Sequence, residues 1–202
     1  YEIGSGLVGS EMCIRDSFRS VPMQELLNEA KRLASEGVKE LVLVAQETTL
    51  YGKDLTGEKQ LPLLLHELCK IEGIEWIRLL YCYPEEITDE LIKVIKTEEK
   101  VCNYIDMPIQ HSENRILQRM GRRTSREDLV AVIKKLRKEI PDITIRTTLI
   151  TGFPGESQED HEGLMNFVEE CQFDRLGVFT YSPEEDLSLI HISEPTRPEP
   201  IS

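Results

Sequence analysis

The run TGFPGES (151–157) places Gly152 and Gly155 just ahead of Glu156 and Ser157. Glycines at that spacing let a backbone approach a ligand closely. A serine next to them can open a helix whose free N–H groups and positive dipole end favour a carboxylate or a phosphate. The same residues also suit a plain strand-to-helix turn with a capped helix, so both readings stay open here. Gln46, Glu47, Thr48 and Thr49 form a second polar group. They offer donors and acceptors, and Glu47 could hold a cationic amino group.

Gln110 and His111 could bind sugar hydroxyls or move a proton, although a loop histidine also serves as a structural hydrogen bonder. Arg122 and Arg123, with Arg126 nearby, make a basic cluster. It reads either as a solvated helix end or as a carboxylate clamp. Arg146 lies within an apolar run and needs a partner if it points inward, because an unpaired buried charge is very costly. Tyr83, Tyr104 and Tyr181 are read as core or rim residues.

Other chemistries are missing. There is no H-x-H or H-E-x-x-H pair for a hydrolytic metal, no phosphate-binding Walker loop, no G-x-G-x-x-G and no G-x-S-x-G. Cys13, Cys69, Cys82, Cys102 and Cys171 are scattered, with none two or three residues apart. That spacing excludes a zinc knuckle, a redox C-x-x-C and a cluster-binding C-x-x-x-C-x-x-C. No catalytic residue and no metal ligand is therefore assigned. The net charge of −13 argues against strong nucleic-acid binding, which needs a basic surface, though it allows one local basic patch. No apolar run approaches the roughly 18 residues that would span a bilayer. With no visible signal peptide and an odd number of thiols, the chain is expected in the cytoplasm, away from membranes.

The elements that must position these groups alternate. Leu26, Leu27, Ala30, Leu33 and Ala34 recur at helical spacing, and Gly37 suits the stop. ELVLVA (40–45) is a strand-length apolar run without alternation, expected to be buried on both faces. Leu64, Leu65, Leu68 and Ile71 mark a helix ending before Gly73, and WIRLLY (76–81) a strand. Thr88 can cap a helix carrying Leu91, Ile92 and Ile95, ahead of strand CNYIDM (102–107). Ser125 with Asp128, and Ser157 with Asp160, have capping-box spacing ahead of two further helices. ITIRTTLI (143–150) and RLGVFTY (175–181) are the remaining strands. Five strands alternating with five helices predict right-handed βαβ units and an α/β fold. A parallel barrel or partial barrel is favoured over an open sheet, because each strand ends in a polar loop of similar character. In such folds the working residues sit on those loops.

The segments 1–17 and 187–202 lack periodicity, and GSEMCIRDS and LIHISEPTRPEPIS resemble translated sequencing-library adapter. They are read as non-native tails flanking a barrel unit over 18–186.

Taken together, AQETTLYGKDLTG (45–57), IRLLYCYPEEITDELI (77–92), YIDMPIQHS (104–112), RMGRRTSRE (119–127), IRTTLITGFPGES (145–157) and FDRLGVFTYSPEED (173–186) resemble the radical S-adenosylmethionine methylthiotransferases. AQETT, YCYP and MPIQHS match the ribosomal-protein branch of that family better than its tRNA adenosine branch. The resemblance implies an incomplete parallel (β/α) partial barrel of the radical SAM type. It implies a methylthio group added to an aspartate of the twelfth small-subunit ribosomal protein, with that protein as partner. The intact family uses S-adenosylmethionine and two 4Fe-4S clusters. It also places the Gln46–Thr49 segment, with Glu47 and Thr48, at the methionine part of the cofactor, and Gln110 and His111 near the ribose or the reacting carbon. Arg122 or Arg123 would hold the methionine carboxylate. Gly152, Gly155 and Glu156 would lie at the nucleoside, and strand 178–181 along the adenine.

The chain departs from the pattern where the family carries C-x-x-x-C-x-x-C, just before Phe18-Arg19-Ser20; here the residues are GSEMCIRDS. The first strand, the cluster loop and the flanking domains are expected to be missing and the chain inactive, with a raw sheet edge that invites aggregation. A tRNA-modifying relative, and an inert barrel serving only as a binding module, are the alternatives.

Overall fold

The computed structural model describes residues 2–4 and 19–182. Cys13, the GSEMCIRDS stretch and the 187–202 segment lie outside the described residues.

Six parallel strands form one sheet in chain order: β1 (Glu2–Gly4), β2 (Glu40–Val44), β3 (Trp76–Leu79), β4 (Val101–Gln110), β5 (Thr144–Thr151) and β6 (Arg175–Thr180). The helices are α1 (Met23–Ser35), α2 (Lys53–Thr56), α3 (Leu61–Cys69), α4 (Asp89–Thr97), α5 (Asn114–Arg119), α6 (Arg126–Glu139) and α7 (Gln158–Cys171). Sequential parallel neighbours require every crossover to pass on the same side, since βαβ units share one hand. The sheet therefore has a covered face and an open face, the arrangement of a partial barrel.

The expectation of no strand before β2 is corrected. Glu2–Gly4, inside the segment set aside as a tail, pairs with β2 in register Glu2↔Val42 and Gly4↔Val44. Backbone pairing requires only an extended segment beside a free edge, so absence of hydrophobic periodicity does not forbid it.

Burial on both faces of β2 is likewise corrected. Leu41 and Leu43 are buried while Glu40, Val42 and Val44 are not. β3 and β5 alternate in the same way. Leu41, Leu43, Ile77, Leu79, Ile105, Ile145 and Leu149 face the helices and meet Leu65, Leu68, Ile95, Leu129, Ile133, Leu136 and Phe167 in one core. Each such fully buried side chain contributes about 2 kcal/mol of apolar transfer.

The helix ends follow the local signals. α1 stops where Gly37, at φ +89°, donates to the Ala34 carbonyl while Val38 donates to Leu33. Thr88 caps α4 by accepting from the Leu91 N–H. Both capping boxes form, Ser125 with Asp128 on α6 and Ser157 with Asp160 on α7. Two short helices, α2 and α5, were not expected; at four and six residues they are too brief to carry a periodic signal.

Candidate cofactor site at the strand ends

A parallel sheet in chain order brings the loops after β2, β3, β4 and β5 to one edge. The loop after β2 begins as a tight 3₁₀ turn, Thr48–Leu50, capped by Glu47. Glu47 Oε1 accepts from the Thr49 N–H at 3.1 Å, from the Thr49 hydroxyl, and from the Tyr83 N–H at 3.4 Å. Its other oxygen, Oε2, is buried and has no hydrogen-bond partner among the described residues. Burial pushes the Glu47 carboxyl up to about 7, against the weaker pull of the Thr49 and Tyr83 hydrogen bonds. A buried carboxylate oxygen without a donor is costly unless a ligand supplies one.

Thr48 is spent on structure. Its hydroxyl donates to the Leu80 carbonyl at 2.6 Å and its N–H to the Tyr81 carbonyl at 3.0 Å, locking the ends of β2 and β3 together. Gln46 is exposed beside them. Ser20, not singled out from sequence, pins the incoming chain to this loop. Its N–H donates to Asp54 at 2.7 Å, and its hydroxyl accepts from the Gly52 N–H at 2.9 Å.

Two non-glycine residues sit in the left-handed region at neighbouring strand ends, Tyr81 at φ 56° after β3 and Gln110 at φ 77° closing β4. Such conformations cost on the order of 1 kcal/mol each and concentrate where a site is shaped. Tyr81 is held by its N–H donating to Asp106 Oδ2 at 3.2 Å. Arg146 does have a partner: its Nε lies 3.8 Å from Asp106 Oδ1. Asp106, only 4% exposed, went unnoticed in the sequence; its alternation with Tyr104 was the available signal.

His111 and Glu156 come together. His111 is fully buried, its Nδ1 accepts from the Glu113 N–H at 3.1 Å, and its Nε2 lies 3.7 Å from Glu156 Oε1. Burial lowers the imidazole below its usual range, with Glu156 opposing that shift. Glu156 turns into its own loop. Oε2 accepts from the Phe153 N–H at 2.9 Å, and Oε1 accepts from Thr151 and meets His161 Nδ1 at 3.2 Å. Phe153 packs edge-on against Tyr181 at 5.3 Å between ring centroids, fixing the loop to the end of β6.

The start of α7 is a poorer anion site than the sequence suggests. Asp160 already accepts from the Ser157 N–H and hydroxyl, putting a negative charge there. Gly155, at φ +84°, is covered by the guanidinium of Arg119, which would overlap any Cβ at that position. The cation on this loop is thus Arg119, which sequence reading passed over. Arg122 instead stacks over the Tyr83 ring at 4.7 Å, next to the backbone that binds Glu47, while Arg123 is exposed. Gly152, at φ +73°, has open space around it.

The described cysteines lie apart, Cys69 on α3, Cys82 after β3, Cys102 on β4 and Cys171 on α7. No group of three or more His, Cys, Asp or Glu residues among the described residues could hold a metal ion. No helix among the described residues is long and apolar enough to cross a membrane.

Comparison with known proteins matches residues 11–168 to the radical SAM superfamily. The chain is 66% identical over 173 residues to the ribosomal protein uS12 methylthiotransferase RimO of Lachnoclostridium phytofermentans, covering 86% of this chain and 39% of that relative. It thus spans about two fifths of the length of the relatives it matches, 39% in this case. Among solved structures, the radical S-adenosylmethionine methyltransferase TsrM from Kitasatospora setae is similar at a TM-score of 0.62 and 16% identity, covering 79% of this chain and 31% of that one. SuiB from Streptococcus suis, bound to S-adenosylmethionine, is similar at a TM-score of 0.59 and 15% identity, covering 90% and 38%. These two likenesses concern the fold.

Proposed function

The chain belongs to the radical SAM superfamily, and from that premise we propose that it is the cofactor-binding barrel portion of a methylthiotransferase acting on ribosomal protein uS12. The observation that carries the reading is Glu47. A buried carboxylate with one oxygen lacking a donor, at the end of a parallel strand, is suited to a cationic ligand group. The methionine ammonium of S-adenosylmethionine is such a group, so the residues present fit this cofactor.

Within that reading Glu47 binds the ammonium, Gln46 orients the methionine end, and Thr48 holds the turn that carries Glu47. Arg122, already aligned by Tyr83, takes the methionine carboxylate, with Arg123 as the exposed alternative. The loop from Gly152 to Glu156 lies along the nucleoside, its shape held by the inward-turned Glu156 carboxylate. Gln110 faces the ribose side, while the fully buried His111 supports the loops through Glu113 and Glu156. In the superfamily a 4Fe-4S cluster supplies the electron that opens S-adenosylmethionine to a radical. The described cysteines do not fit a cluster, so this chain's residues are read as binding and orienting only. A second cluster and the presentation of uS12 belong to the longer protein. The barrel unit is proposed to comprise residues 18–186 together with the paired strand Glu2–Gly4.

The test begins with titration of S-adenosylmethionine into the chain by calorimetry. Saturable binding that Glu47→Gln weakens is expected; binding indifferent to Glu47 would overturn the assignment. The full-length enzyme is then assayed on uS12 and on tRNA in parallel. Methylthio label on the protein alone is expected, and label on tRNA alone would move the chain to the tRNA branch. The chain by itself, given S-adenosylmethionine and reductant without air, is expected to yield no deoxyadenosine.

A further inference from the structure

The open face of the sheet carries charges where a closed core would carry methyl groups. Arg78 is satisfied there, its Nε donating to Glu40 at 2.7 Å and its guanidinium lying 4.7 Å from the Tyr104 ring centre. Arg146 and Arg175 are different. They are register partners on adjacent parallel strands, β5 and β6, so they project from the same face. Like charges directly opposite one another destabilise a sheet. Arg146 has Asp106 on one side, at 3.8 Å, and its side chain is 45% exposed. Arg175 is exposed and makes no ion pair or side-chain hydrogen bond among the described residues.

The next positions along the same face continue the pattern. Thr148 pairs with Gly177 and Ile150 with Phe179. Gly177 carries no side chain, and the edge of the Phe179 ring, itself 61% exposed, comes within 3.7 Å of where a Cβ would stand. The face therefore presents two guanidinium forks, a glycine and an apolar pair, rising toward the strand ends that hold the candidate site.

We propose that Arg146 and Arg175 form a carboxylate-selective subsite for an acidic side chain of a peptide substrate, with the neighbouring peptide lying over Gly177 against Ile150 and Phe179. The proposal rests on the reading above that the substrate is a protein. Two arginines beside one buried aspartate leave a single net positive charge, which one side-chain carboxylate neutralises. The planar forks suit its two oxygens. A polyanion such as RNA is disfavoured by the chain's net charge of −13, and the apolar pair has no counterpart in a phosphate backbone. Arg146 and Arg175 would thus select a carboxylate over the isosteric carboxamide, because the amide cannot offer two charged acceptors to the forks.

The test uses the chain with ¹⁵N-labelled arginine and follows the Arg Nε–H resonances by NMR. The probe is N-acetyl-aspartate N-methylamide, compared with the asparagine analogue and with dimethyl phosphate. Saturable shifts at Arg146 and Arg175 with the aspartate probe are expected, with much weaker effects from asparagine. Arg146→Gln and Arg175→Gln should each weaken binding about tenfold. Arg175→Lys keeps the charge but loses the fork and should fall between them. Lys134→Gln, on the exposed side of α6, should change nothing. Absence of saturable shifts, equal shifts from asparagine, or tighter binding of dimethyl phosphate would each overturn the proposal. S-adenosylmethionine binding without aspartate binding defeats this proposal alone. Aspartate binding without S-adenosylmethionine binding defeats the functional reading and leaves the subsite standing.

Discussion

Glu47→Gln should make the chain more stable above neutral pH while it weakens S-adenosylmethionine binding. Burial holds the Glu47 carboxyl near 7 instead of its ordinary 4.5. A shift of that size corresponds to roughly 3 kcal/mol of penalty on the ionised form, reduced to ~2 kcal/mol once residual solvent screening is allowed for. The folded value lies above the unfolded one, so the unfolded chain gives up this proton first as pH rises. The stability tied to the neutral carboxyl is intact below pH 4.5, declines through the interval, and is gone above about 7. Glutamine keeps the Oε1 acceptor for Thr49 and Tyr83 and cannot ionise. Urea denaturation at pH 5 and pH 8 reads the difference. The variant should match the parent at the lower pH and exceed it by ~2 kcal/mol at the higher, a rise of roughly 4–8 °C in melting temperature for a chain of this size. Destabilisation of similar size at both pH values would refute the reasoning. It would mean that a cation within the folded chain already compensates the charge.

Gly155→Ala and Gly152→Ala should separate backbone strain from crowding. Both positions have positive φ, so each alanine costs about 1 kcal/mol of strain, but only at Gly155 must Arg119 also move. The Gly155 variant should therefore be the less stable in urea, and adding Arg119→Ala should bring it back to the Gly152 level; independent, additive losses would contradict the contact. His111→Gln should flatten the acid side of the stability profile. The folded imidazole is held below its unfolded value, so its contribution is present above about pH 6.5 and lost as pH falls. Thermal melts from pH 8 to pH 5 should show the parent losing more stability than the variant; parallel profiles would place the imidazole in contact with solvent.

Much of the fold was legible because its signals are local. The helix starts at Thr88, Ser125 and Ser157 are written in side chains that reach their own backbone three residues on. The site was legible only in outline. Glu47, Thr48, His111 and Glu156 do line the strand ends, but a polar residue type does not disclose where its hydrogen bonds go. Thr48 and Glu156 turned inward to brace loops, while Glu47 kept a free oxygen. Arg119 escaped notice because its contact with Gly155 spans 36 residues of sequence.

What the sequence determined by itself is the set of alternating elements, their caps and the residues that can occupy the strand ends. These depend on periodicity and on contacts within a few positions. The tertiary structure decided which face of each strand lies open, that Arg146 meets Asp106 and stands beside Arg175, and that Glu2–Gly4 completes a six-stranded sheet. Those facts depend on register between distant strands. A shift of one residue would turn every side chain to the opposite face, and only the packed sheet settles that choice.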